Sequence, residues 1–229
     1  MPDQIDRAKD SVGHAAADLV ESGMRLGLGS GSTFLRFLQH LARRVNDEGL
    51  EIVGVPSSDG TAARARALGV ALTTLDELRG LDLTIDGADE VDPNKHMIKG
   101  GGAALAREKI VAAAADEMIV MVGENKMVGV LGQAFPLPVE VMQFGWNQVA
   151  SRLREFHSEP RLRMKGGKPL ITDNGNYILD CAFDGGIPDP VAMEAAINLI
   201  PGVLDNGLFT NLAGRVLVSD DNGEVRVVS

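Results

Sequence analysis

Met24-Arg25-Leu26-Gly27-Leu28-Gly29-Ser30-Gly31-Ser32-Thr33-Phe34-Leu35-Arg36-Phe37-Leu38 runs from a short apolar strand through a glycine-rich turn into an amphipathic helix. Phe34, Leu35, Phe37, Leu38 and Leu41 recur at helical spacing, so the helix buries one face. Glycines let the turn tighten and approach a ligand. The N–H groups at the helix start and the hydroxyls of Ser30, Ser32 and Thr33 can then hold phosphate oxygens. Two better-known phosphate motifs fit poorly: the third glycine of a dinucleotide fingerprint falls on Ser32, and no lysine stands where a nucleotide P-loop needs one. A simple Ser/Thr-capped turn is the competing structural explanation.

The same alternation continues outward. A helix is predicted over Asp6 to Gly23. Strands are predicted at 51–55, 81–85 and 117–122, with helices at 59–68 and 103–115 between them. Strands alternating with helices imply an α/β fold, a Rossmann-like, mostly parallel sheet whose ligands bind beyond the C-terminal strand ends. After Val130 the texture shifts to proline-containing, strand-rich sequence, with strands predicted at 137–141 and 177–182 and a helix at 190–199. The expected organisation is a main domain of residues 1–130 plus 207–229 and a smaller α+β domain of residues 131–206.

Composition narrows the function. The chain has 229 residues, enough for a substantial core, and its 45% hydrophobic and 24% charged content is that of an ordinary globular protein. A formal charge of −10 argues against a nucleic-acid surface, which needs clustered Lys and Arg, but leaves room for a locally bound anion. Cys181 is the single cysteine, so no internal disulfide or thiolate metal cluster can form. The polar N-terminus lacks a signal core, and no run reaches the roughly 20 apolar residues of a membrane span. A cytoplasmic protein is expected.

The chemistry-bearing residues lie at predicted strand ends. Asp86-Gly87-Ala88-Asp89-Glu90 follows the apolar strand, placing carboxylates where substrates bind; an acidic helix-capping loop is the alternative. Asp92 nearby raises a metal, but neither a calcium-loop spacing nor a histidine pair is present. Lys99-Gly100-Gly101-Gly102 is too short and too well flanked for a linker. Consecutive glycines there suit an anion nest, to which Lys99 adds charge. Glu108 is expected in the second turn of the next helix, on one face with Ala104 and Ala112; flanked by Arg107 and Lys109, it would otherwise read as a solvated glutamate. Together these residues form a plausible acid–base site over an anion-stabilising floor. Lys126, in Glu124-Asn125-Lys126, stands at the next strand end. His14, His40, His96 and His157 show neither metal nor triad spacing, and Ser57 and Ser58 lack a nucleophile-elbow context.

These motifs, with Arg107-Glu108-Lys109, Thr172-Asp173-Asn174-Gly175-Asn176-Tyr177 and Ile200-Pro201-Gly202-Val203, together resemble the A-type ribose-5-phosphate isomerases over nearly the whole chain. The resemblance implies interconversion of ribose 5-phosphate and ribulose 5-phosphate in the non-oxidative pentose phosphate pathway, without metal or other cofactor. It also implies a homodimer or dimer of dimers. It makes Glu108 the general base and assigns substrate contacts to Ser30, Gly31, Ser32, Thr33, Asp86, Gly87, Ala88, Asp89, Lys99, Gly100, Gly101, Gly102 and Lys126. Lys9 matches a further phosphate-side lysine. Departures are Ser30 for a common threonine, Ala103 for a frequent glycine, and Met142-Gln143-Phe144-Gly145-Trp146 after Val-Glu-Val. Of the rival readings, a sugar-phosphate sensor would need a DNA-binding module, for which the sequence before the first core helix leaves no room. Acyl-thioester transfer would use a glutamate as nucleophile in a larger crevice.

Overall fold

The computed structural model describes residues 2–229, with side chains from Gln4 onward. Its first half runs α1 (Pro2–Ala17), β1 (Arg25–Leu28), α2 (Gly31–Glu48), β2 (Val53–Pro56), α3 (Asp59–Ala67) and β3 (Leu81–Gly87). Two short strands follow, β4 (Glu90–Val91) and β5 (Met97–Ile98), then α4 (Leu105–Ala113) and β6 (Ala115–Gly123). Next come β7 (Leu137–Val141), α5 (Trp146–Arg154), β8 (Ser158–Leu162), β9 (Met164–Lys165), β10 (Lys168–Pro169) and β11 (Tyr177–Phe183). The chain closes with α6 (Pro190–Asn198), β12 (Val203–Asn206), β13 (Leu208–Phe209), β14 (Ala213–Ser219) and β15 (Val225–Val228).

Contacts divide the chain into two units. The first comprises the N-terminal segment ending at Gly87 together with Arg107–Lys126 and Leu212–Ser229. Its sheet has the order β15-β14-β6-β3-β1-β2, parallel throughout except for the β14–β15 edge pair. Strand β3 is buried along most of its length, as expected of a strand covered on both faces. Of the predicted stripe of α2, Phe34, Phe37, Leu38 and Leu41 join Leu26, Leu28, Leu83, Ile85 and Ile119 in one core, while Leu35 is half-buried. Each such side chain contributes about 1.5–3 kcal/mol on burial.

Helix α1 ends at Ala17 rather than near Gly23. Arg44, on α2, donates through Nη1 to the carbonyls of Ala17 and Val20, satisfying acceptors that another helical turn would have used. Sequence periodicity does not reveal that long-range cap.

The second unit comprises Ala88–Ala106 and Met127–Asn211. It holds an antiparallel sheet β12-β7-β11-β8, a smaller sheet β13-β5-β4 and the β9–β10 hairpin. Residues 88–106, expected with the main domain, group here because β5 pairs with β13 through Leu208↔Ile98 and Phe209↔Met97. Strands of two residues leave no periodic trace in a sequence. Helix α5 and strand β8 were likewise not foreseen; Val149, Ala150 and Leu153 of α5 pack into a core with Val139, Leu179 and Cys181. Among the described residues, no helix is long and apolar enough to cross a membrane.

Cys181 is fully buried, and burial pushes its thiol up to about 12. With the folded value raised, its stabilising contribution is complete below the unfolded thiol's titration, near 8.5, and is lost as pH rises toward the folded value. Native protein is therefore expected to resist iodoacetamide at pH 8 while denatured protein is labelled at one site, as read by mass spectrometry.

Candidate active site

In the first unit, three of the predicted residues come together at the strand ends. The loop after β1 is tied on several sides: Gly29 N–H donates to the Ile85 carbonyl (3.1 Å), Ser57 N–H to the Leu28 carbonyl (2.9 Å), and Thr61 Oγ1 to the Gly29 carbonyl (2.7 Å). Asp86, only 2% exposed, accepts through Oδ1 from the N–H groups of Ser30 (2.9 Å) and Gly87 (2.8 Å). A Cβ at position 29 would stand 2.1 Å from the Asp86 carboxyl carbon, so this close approach requires glycine.

Ser30 occupies the N-cap position of α2 in an extended conformation, yet its side chain does not cap the helix. Instead Oγ donates to Glu108 Oε1 at 2.5 Å. A hydroxyl donor to a carboxylate this close is a charge-assisted hydrogen bond. It fixes Glu108, which is 5% exposed, and leaves the N–H groups at the start of α2 without that side-chain acceptor. Gly31 and Ser32 are exposed and Thr33 half-buried, with Gly87 alongside Thr33. Glu108 lies in the first turn of α4, not the second, because the helix begins at Leu105. Ala103 just before it has φ 62°, a left-handed conformation that glycine adopts without cost and alanine does not.

Lys126 closes the short turn after β6 and is half-buried; Lys9 is half-buried on α1. No described contact joins either lysine to Ser30–Thr33. Glu124 pairs with Arg226 (2.9 Å) and Arg107 with Asp59 (2.8 Å). Ser58 caps α3 by accepting from Thr61 N–H, a structural use.

The second unit carries the remaining predicted residues. Ala88 and Asp89 are half-buried, and Asp89 Oδ2 accepts from Gly101 N–H at 2.8 Å. A side chain on Gly101 would collide with that carboxylate, its Cβ falling 2.8 Å from Oδ1. Thus one of the glycine N–H groups expected to face an oxyanion is engaged by Asp89. Gly101 and Gly102 are both exposed. Lys99 is 3% exposed; its N–H donates to the Gly207 carbonyl (2.9 Å), and its ammonium stands 5.3 Å from the Phe209 ring centroid, within cation–π range.

Two acidic neighbours prove structural. Glu90, buried, accepts from Gly132 (2.6 Å), Ala134 (2.9 Å) and Phe135 (2.7 Å) N–H groups. Asp92, weighed as a metal ligand, accepts from Asn94 (2.8 Å) and His96 (2.9 Å) N–H groups and folds its own turn. Sequence reading passed over Arg163 and Asp180. Asp180 Oδ2 accepts from Arg163 Nε (2.9 Å) and Oδ1 from Nη2 (2.5 Å), while Arg163 Nη1 donates to the carbonyls of Gly100 (2.8 Å) and Gly101 (3.1 Å). The available signal was a carboxylate inside the apolar run Ile178 to Phe183.

Removing the Ser30 hydroxyl is expected to lower kcat about tenfold by freeing the Glu108 carboxylate, with Ser30→Thr close to the parent. Steady-state kinetics of Ser30→Ala and Ser30→Thr check this.

In this α/β protein a buried carboxylate held by a hydroxyl is a group that can accept a proton, and the start of α2, without a side-chain cap, offers N–H groups that can bind an anion. The family model for ribose 5-phosphate isomerase A (phosphoriboisomerase A) matches residues 53–223. Ribose-5-phosphate isomerase A of Maricaulis maris is 51% identical, over 97% of each chain. A solved ribose 5-phosphate isomerase A from Methanocaldococcus jannaschii superposes with a TM-score of 0.92 at 40% identity, covering 97% of this chain and 98% of that one. A solved D-ribose-5-phosphate isomerase in complex with phospho-erythronic acid gives a TM-score of 0.95 at 38% identity, covering 98% and 99%. The chain belongs to the ribose 5-phosphate isomerase A family.

Proposed function

We propose that this chain interconverts D-ribose 5-phosphate and D-ribulose 5-phosphate, an aldose–ketose isomerisation of the non-oxidative pentose phosphate pathway, through an enediolate. The observation that carries the chemistry is the buried Glu108 carboxylate fixed by the Ser30 hydroxyl at 2.5 Å. Family membership supports the choice of a five-carbon sugar.

Asp86 or Asp89 assists ring opening by moving the ring hydroxyl proton. Glu108 then takes the proton from C2 of the open aldose. The C–H electron pair forms the C1–C2 double bond, and the aldehyde oxygen becomes negative. Glu108 returns the proton to C1, the C2 hydroxyl proton passes to the C1 oxygen, and the ketose results. Lys99 is assigned to the developing oxyanion, aided by Gly100 and Gly102, the Gly101 N–H being engaged by Asp89. Ser30, Gly31, Ser32 and Thr33 are assigned to the substrate's anionic end with Lys126 and Lys9, and Gly87 and Ala88 to the space between the aspartates. Donors already aimed at the charge that develops lower the barrier without reorganising during reaction.

The test is incubation of metal-stripped protein with ribose 5-phosphate in deuterium oxide. Ketose carrying solvent deuterium is expected; absence of ketose would defeat the proposal, and ketose without any deuterium would favour a hydride shift.

We further propose a cytoplasmic homodimer. Phe144 and Leu199 of the second unit are 90% and 82% exposed, large apolar surfaces of the kind that a second copy covers. Sedimentation velocity should return twice the mass of 24.2 kDa.

A further inference from the structure

We propose that Arg163 and Asp180 are positioning residues of the isomerisation, holding the Lys99–Gly102 loop in the geometry the reaction uses. The inference rests on the reading of that loop as the oxyanion side of the site.

Arg163 lies between β8 and β9 of the second unit, 62 residues along the chain from Gly101. Its backbone is pinned, since its N–H donates to the Ile178 carbonyl and its carbonyl accepts from Leu170 N–H, both at 2.9 Å. Its side chain is 14% exposed and that of Asp180 24% exposed. Asp180 engages one edge of the guanidinium with both oxygens, which orients the plane; the remaining nitrogen, Nη1, then points at the Gly100 and Gly101 carbonyls. Only a planar fork makes these contacts together, and an ammonium on a flexible stem does not.

Holding the carbonyls matters because adjacent peptide planes are shared. The Gly100 carbonyl and the Gly101 N–H belong to one rigid peptide, as do the Gly101 carbonyl and the Gly102 N–H. A donor on each carbonyl therefore fixes where each N–H points. The result is visible at Gly101, whose N–H meets Asp89 Oδ2 at 2.8 Å. Consecutive glycines have no side chains with which to resist rotation; the loop's own turn bond, Ala103 N–H to the Gly100 carbonyl at 3.0 Å, holds the first peptide in part, and Arg163 adds a second donor there and holds the Gly101 carbonyl. The same clamp sets the peptide bonds that follow Lys99, itself anchored through its N–H to Gly207. Arg163 and Asp180 thus act on the reaction through the loop and contact no reacting atom in this assignment.

The experiment compares full-length parent, Arg163→Ala, Arg163→Lys and Asp180→Asn by steady-state kinetics, thermal unfolding and amide hydrogen exchange at Gly101. In folded Arg163→Ala, kcat is expected to fall on the order of 10- to 100-fold with KM within about threefold, the pattern of a misplaced group and not of a lost ligand contact. Gly101 exchange should quicken, and added guanidinium should restore part of kcat. Arg163→Lys should recover little of it. Asp180→Asn keeps the guanidinium but loosens its orientation and should show the same pattern more weakly, so it serves if Arg163→Ala does not fold.

Unchanged kcat in a folded variant, a loss that merely follows the folded fraction, or unchanged Gly101 exchange overturns the proposal. Lys99→Met separates the two levels. Full activity in Lys99→Met defeats the oxyanion reading, whereas loss there with full activity in Arg163→Ala defeats the positioning role alone.

Discussion

Glu108→Gln is expected to reduce kcat by about 10² to 10⁴ while leaving sugar-phosphate affinity nearly unchanged, the range a positioned general base contributes. The amide is isosteric, and its oxygen can still accept from Ser30 Oγ, so the local packing of this 5%-exposed side chain survives. What disappears is the capacity to accept and return a proton. Ketose formation and solvent-deuterium incorporation at C1 of the ketose should fall together, since both depend on the same transfer. Near-normal turnover would remove Glu108 from the base role and shift attention to Asp86 or Asp89.

Lys99→Met should be nearly as damaging, with kcat falling by about 10² to 10³, the loss seen when one donor to a developing oxyanion is removed. Methionine keeps an unbranched apolar stem against Phe209, so packing around this buried position is largely preserved. The missing ammonium costs most where negative charge develops, because Lys99 is itself buried and a compensating dipole has to be found during the reaction. Steady-state kinetics across a range of ribose 5-phosphate concentrations check this directly: a rise in KM with unchanged kcat would assign Lys99 to ground-state binding.

Both predictions concern residues that were legible beforehand, for a physical reason. Glu108, Lys99, Asp86 and Ser30 lie at strand ends or helix starts, where the order of apolar runs, glycines and polar residues reports position along the fold. The stripe Phe34, Phe37, Leu38 and Leu41 identified the buried face of α2 in the same way. Which partner each polar side chain chose was not legible. Ser30 stood where a helix cap is normal and serves Glu108 instead; Glu90 looked like part of the acidic site and accepts three backbone N–H groups within the small domain.

The amino-acid order by itself determined the alternating strands and helices, the hydroxyl-bearing turn and the family resemblance, because periodicity and glycine placement are local properties of the chain. Only tertiary structure decided that residues 88–106 join the second unit, that Arg44 ends α1, and that Arg163 and Asp180 clamp the glycine loop. Each of these depends on pairings between residues distant in the chain. Hydrogen-bond direction and two-residue strand pairing are settled when those segments meet, and they leave no repeating pattern along the sequence.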